Sequence, residues 1–195
     1  MPNWYNMHIV KDSDIMKKAF TLLELVFVLV VIGILAAVIL PRTSADSAVE
    51  AALELQSSIR YTQHLAMQDD KFDATDNTWF RNRWQIVFNG NTYSIVSDNG
   101  TNFAQDPSNT SNELQNIDLG AKYNVSVALG GGCANETIIS FDHYGRPIVG
   151  DLSDDATAYV NGQLLNSTCT ITLSSGGQTP VVLELMKETG YVRML

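Results

Sequence analysis

The chain has 195 residues, 45% of them hydrophobic, and a formal net charge of −9. That length can bury one core of ordinary size, while 12 basic against 21 acidic residues argue against a general nucleic-acid binder, which needs clustered Lys and Arg. Two cysteines are too few for a disulfide framework or a four-cysteine zinc site, and a charged fraction of 17% points to apolar content concentrated somewhere.

The concentration lies near the N-terminus. Residues 20–40 read FTLLELVFVLVVIGILAAVIL, with Glu24 as their only charge. A run of about 20 apolar residues matches a hydrocarbon core of roughly 30 Å. It is too long for the apolar region of an ordinary secretory signal, about 7–15 residues. The competing reading is a helix buried in a soluble core, but no second long apolar run follows to cover it. Lys17 and Lys18 stand before the run. They predict an N-terminus in the cytoplasm and a C-terminal region across the membrane. An oxidising compartment there permits a Cys133–Cys169 disulfide; two unpaired buried thiols are the alternative.

Glu24 is the residue that needs explaining. A carboxylate in a membrane span is costly, less so near an end, and usually has a partner. It either sits near the headgroups or pairs with a cation. Lys17 and Lys18 are the nearby cations, and a cut between Ala19 and Phe20 would create a better one, the new amine of Phe20.

The segment KKA-FTLLELVFVLVVIGILAAVILP (17–41) resembles the N-terminus of type IV pilins and type II secretion pseudopilins. The resemblance implies cleavage by prepilin peptidase between Ala19 and Phe20, N-methylation of Phe20, and pairing of Glu24 with the N-terminal amine of a neighbouring subunit. Gly33 and Pro41 match that family's helix-loosening positions. Ala19 departs from its usual Gly. Residues 1–15 are polar and mixed in charge, and a start at Met16 rather than Met1 would give the compact leader MKKA. Cleavage before Phe20 removes Lys11, Lys17 and Lys18 together with Asp12 and Asp14, leaving 9 basic and 19 acidic residues and a net charge of −10.

Beyond Pro41, the helix is expected to resume to about Gln68. Ala48, Ala52, Leu55, Ile59, Thr62 and Ala66 form a stripe at helical spacing, widened by Val49 and Leu53. A helix from Phe20 to Gln68 would be near 75 Å long at ~1.5 Å per residue. A polar loop follows to Arg83. A hairpin is predicted from 83–88 and 92–96 about Asn89-Gly90-Asn91. Residues 98–116 read as a long loop. Short strands are expected near 121–129, 137–141, 157–161 and 168–173, and a closing hairpin joins 181–186 to 191–194 through Glu188-Thr189-Gly190.

This half resembles the GspH/FimT minor pseudopilins in RYTQHLAMQ (60–68), the Trp84-to-Phe88 strand, FDHYG (141–145) and the terminal ETG hairpin. The implied fold class is α+β and pilin-like: one long N-terminal helix, membrane-spanning in its first half, packed on antiparallel β-sheets. The implied domains are a leader (1–19), a transmembrane half-helix (20–40), an amphipathic half-helix (41–70) and a periplasmic β-rich domain (71–195).

No nucleotide loop, HExxH or GxSxG occurs, so catalysis and a cofactor are not expected. His8, His64 and His143 are scattered, and His143 reads as a turn residue. Asp98–Asn102 and Asp151–Asp155 do not fit the EF-hand spacing and read as solvated acidic loops rather than calcium sites. The expected role is a minor pseudopilin or minor pilin in the inner membrane. Its expected partners are other pilins, prepilin peptidase and an assembly platform. A FimT-like DNA-binding role through Arg81, Arg83 and Arg193 is the alternative, and an unrelated membrane-anchored periplasmic protein the third.

Overall fold

The computed structural model describes residues 21–39, 43–160 and 163–195. It divides into two units, Met1–Leu40 and Pro41–Leu195. The first contributes one helix, α1 (Leu22–Ile39), whose 18 residues carry Glu24 as their only charge.

The expectation of one long helix is corrected here. The described residues hold two, α1 and then α2 (Thr43–Gln68). Residues 40–42, with Pro41, lie outside the described residues, so helical continuity there is not part of the description. At about 1.5 Å per residue α1 rises about 27 Å, short of a hydrocarbon core of roughly 30 Å. Among the described residues no helix is long and apolar enough to cross a membrane.

In the second unit α2 is the spine. Its buried face is Ala48, Ala51, Ala52, Leu55, Ser58, Ile59, Thr62 and Ala66. Val49 and Leu53, expected from sequence to widen that face, instead point outward, 39% and 49% exposed. The small residues let strands approach closely, and Leu55 and Ile59 each contribute about 1.5–3 kcal/mol of apolar burial.

Two antiparallel sheets pack on α2. A short 3-10 helix (Trp79–Asn82) leads into β1 (Gln85–Asn89) and β2 (Thr92–Ser97). These form the predicted hairpin, with Asn89 paired to Thr92, so only Gly90 and Asn91 make the turn. Residues 98–116, expected as loop, contain β3 (Asn102–Phe103) and the exposed pair β4 (Gln105–Asp106) and β5 (Asn109–Glu113), followed by β6 (Ile117–Asp118). The expected strand at 121–124 is instead helical: α3 (Leu119–Tyr123) starts where Asp118 Oδ1 accepts from the Ala121 amide at 2.8 Å and stops at Asn124 in the left-handed region.

The chain then makes β7 (Val125–Gly131), β8 (Ile138–Phe141), β9 (Pro147–Val149), β10 (Cys169–Ser175), β11 (Val181–Leu185) and β12 (Val192–Met194). Sheet A runs β3-β2-β1-β8-β9, with β6 also on β2, and sheet B runs β12-β11-β10-β7. Residues 157–160, expected as strand, form none. They lie on a loop whose Tyr159 ring sits 4.8 Å from the Arg83 guanidinium.

The excursion from β7 through β8 and β9 to β10 leaves sheet B, enters sheet A and returns. A disulfide between Cys133 and Cys169, both fully buried, closes it at its base, with Cα atoms 5.0 Å apart. Gly131 has φ +61°, and a Cβ there would sit 2.4 Å from the Thr168 carbonyl oxygen, so only glycine fits this junction.

Candidate functional site

Two places in the structure gather the residues and motifs that the sequence singled out: the start of α1 and the end of the second unit where the quoted motifs meet. At the start of α1, Thr21 precedes the first helical residue. Its Oγ1 accepts from the Glu24 amide at 3.3 Å, and its carbonyl accepts from the Glu24 and Leu25 amides at 3.0 and 3.1 Å. Thr21 thus caps the helix and places Glu24 in its first turn, where the helix dipole favours a carboxylate. Among the described residues Glu24 has no ion-pair partner. The large apolar side chains from Leu22 to Leu35 are 38–81% exposed. This helix therefore presents an apolar surface on every side with one acid at its N-terminal end.

Ala19, Phe20 and Pro41 lie outside the described residues. Gly33 lies inside α1, where a Cβ would meet nothing within 4 Å. Thr21 is the site residue that sequence reasoning missed. Its signal was legible: Thr-x-x-Glu before an apolar run is the capping-box pattern.

The motifs of the second unit converge on Gln63. Its Nε2 donates to the carbonyls of Gly145, in the β8–β9 turn, and Thr189, in the β11–β12 turn, both at 2.8 Å. One α2 side chain thus joins the turns of both sheets. Gly190 completes the junction: at φ +64°, a Cβ there would fall 2.3 Å from the Gly145 oxygen. Arg60 Nη2 donates to the Val192 carbonyl at 2.8 Å, one turn earlier on the same helix. Asp142, fully buried, organises the FDHYG turn by accepting from the Tyr144 and Arg146 amides and from Arg146 Nε at 2.7 Å. His143 lies in that turn, its ring 3.9 Å from Tyr144.

Trp84 Nε1 donates to Asp69 Oδ2 at 2.9 Å, and Lys71 bridges Asp69 and Asp98 at 2.7 and 3.2 Å. Burial opposes ionisation of Asp69, but the hydrogen bonds from Lys71 and Trp84 outweigh it and hold its carboxyl below the usual carboxylate range. Nearer the start of α2, Glu54 accepts from Lys122 Nζ at 2.6 Å and from the Tyr123 hydroxyl. These bonds raise the Lys122 pKa.

The arginines of the alternative reading do not form an exposed patch. Arg83 is 4% exposed, Arg81 is tied to the Asp155 carbonyl at 2.7 Å, and Arg193 pairs with Glu184 at 2.6 Å. Among the described residues no group of three or more His, Cys, Asp or Glu stands ready for a metal.

Residues 16–40 match the prokaryotic N-terminal methylation motif, which spans Lys17, Lys18, Ala19, Phe20 and Glu24. That match supports a type IV pilin-like protein. No curated protein and no solved structure matches the chain.

Proposed function

We propose that the protein is a minor pilin or pseudopilin, a non-catalytic subunit of a type II secretion pseudopilus or a type IV pilus. Prepilin peptidase cuts between Ala19 and Phe20 and methylates the Phe20 amine. The apolar segment 20–40 holds the subunit in the inner membrane, with residues 71–195 in the periplasm, until assembly. Glu24 then pairs with the amine of a neighbouring subunit, and the α1 surface is covered by neighbouring helices. Gly33 and Pro41 loosen the helix for packing.

One observation carries this reading: the methylation motif at 16–40 includes α1, a helix with exposed apolar side chains whose only charge lies in its first turn. An acid at that position is poorly solvated in lipid, so a partner amine gives assembly an electrostatic driving force. The nucleic-acid alternative has less support, because Arg83 is buried and Arg193 is already paired. Glu24→Ala should still reach the membrane but be missing from sheared filaments. Wild-type incorporation of that variant would exclude the pairing role.

A further inference from the structure

Sheet A ends at β9, and an edge strand offers unpaired N–H and C=O groups. The chain covers that edge with its own residues 163–165. The Val149 amide donates to the Gln163 carbonyl at 2.8 Å and the Leu165 amide to the Pro147 carbonyl at 3.2 Å. Between them Ile148 and Leu164 form a single isolated bridge. Upstream, residues 151–160 contain no helix or strand and fold over the 3-10 turn Trp79–Asn82. Leu152, 3% exposed, joins Phe80 and Ile148 in a small apolar cluster separate from the main core. Arg83 Nη1 donates to the Ala158 carbonyl at 2.9 Å, and its guanidinium lies 4.8 Å from both the Trp79 and Tyr159 ring centres.

The seat is imperfect. Among the described residues four buried side-chain polar atoms have no hydrogen-bond partner, and all four lie at this seam: Arg81 Nε, Arg83 Nη2, Asp155 Oδ2 and Gln163 Oε1. Buried polar groups are nearly always paired, because an unmet one loses its hydration without return. Neither arginine has a carboxylate within ion-pair distance among the described residues. The covering segment is held on the edge by two backbone hydrogen bonds and one isolated bridge, less than the continuous ladder between β8 and β9, which favours local release.

We propose that residues 151–160 and 163–165 are a displaceable plug in a strand-docking groove, whose ligand is an extended segment of a partner subunit. The plug displays what the groove accepts: main chain paired along β9, an apolar side chain where Leu152 sits, and an aromatic ring on Arg83. A better ligand adds a carboxylate for the unmet N–H groups of Arg81 and Arg83. Strand addition at a sheet edge draws affinity from main-chain hydrogen bonds and specificity from side-chain pockets. That the partner is a filament subunit rests on the pilin-like reading; the groove itself does not.

The test uses the full-length chain in detergent, hydrogen exchange, and a fluorescent synthetic peptide with the sequence of residues 150–165 carrying Ala158→Asp. Amides of 151–160 should exchange at least 100-fold faster than those of β8 and β10. Leu152→Ser or Tyr159→Ala, each weakening the plug, should raise peptide affinity at least tenfold with exchange in β8 and β10 unchanged. Exchange of 151–160 at the rate of β8, or unchanged peptide affinity in both variants, would overturn the proposal. Neither readout involves filament incorporation, so this result stands apart from that of Glu24→Ala.

Discussion

Gln63 is a single side chain on which two sheets depend. Its amide satisfies the carbonyls of Gly145 and Thr189 at once, and Gly190 leaves room for it. Gln63→Ala removes both bonds and should cost about 1–3 kcal/mol in urea unfolding. Gln63→Glu should cost more at neutral pH, because a carboxylate would face two carbonyl oxygens with no donor to offer. An equal effect of the two would mean that the amide acts by packing alone. The sequence marked RYTQHLAMQ, which contains Gln63, FDHYG and ETG as three separate weak motifs. It could not show that they meet, since 82 residues separate Gln63 from Gly145 and 126 separate it from Thr189. Thr21 was legible from spacing alone, because capping is local.

At the scale of elements, the readable ones were those with strong periodicity. The α2 stripe placed Leu55, Ile59 and Thr62 in the core, where they are fully buried. The β1–β2 hairpin followed from its alternation and turn. The elements β3 to β6 were not readable: β4 and β5 are exposed and polar, so no face is marked by hydrophobicity. The five residues of α3 are too few to show a helical period, and their cap, Asp118, is one of many polar residues in the segment.

These elements carry a pH dependence whose sign can be worked out. The Asp69 carboxyl is held below its ordinary value. Its stabilising contribution is present above about pH 4, the unfolded range, and is lost as pH falls through the lowered folded value. Tyr93, buried and bonded to Ser58 at 2.8 Å, has its pKa pushed up to about 12, burial being the main cause. The folded chain then holds that proton more tightly than the unfolded one. Stability is unaffected below about pH 10 and falls as pH rises beyond it. Thermal midpoints should be level from about pH 5 to 9 and fall on both sides. Asp69→Asn should flatten the acid limb and Tyr93→Phe the alkaline one. Unchanged limbs would assign the dependence to other groups.

The disulfide belongs to the same scale. It closes a loop of sequence separation 36 that carries β8 and β9 into sheet A. Replacing Cys133 and Cys169 by Ala should lower stability by about 3–4 kcal/mol, read from denaturant midpoints. A loss below about 1 kcal/mol would show that packing alone closes the excursion.

For the whole molecule, composition concealed two parts of different character. A net charge of −9 and an average hydrophobic content arise from an apolar helix and a polar, acidic β-rich unit. The N-terminal part was legible because its chemistry is local: a basic pair, a Phe, an acid five residues into the expected mature chain and an apolar run. The second unit was legible only as a class, α+β with antiparallel sheets, because its specificity lies in long-range contacts such as the Gln63 junction and the seam over β9. The exposed apolar surface of α1 is the part that the proposed assembly would cover with lipid or like helices.

The most direct measurement is mass spectrometry of the N-terminal peptide of the protein isolated from membranes of cells that contain prepilin peptidase. A peptide beginning at N-methylated Phe20 is the predicted result. A chain that keeps Ala19 and the residues before it, in cells that process their other prepilins, would contradict the account.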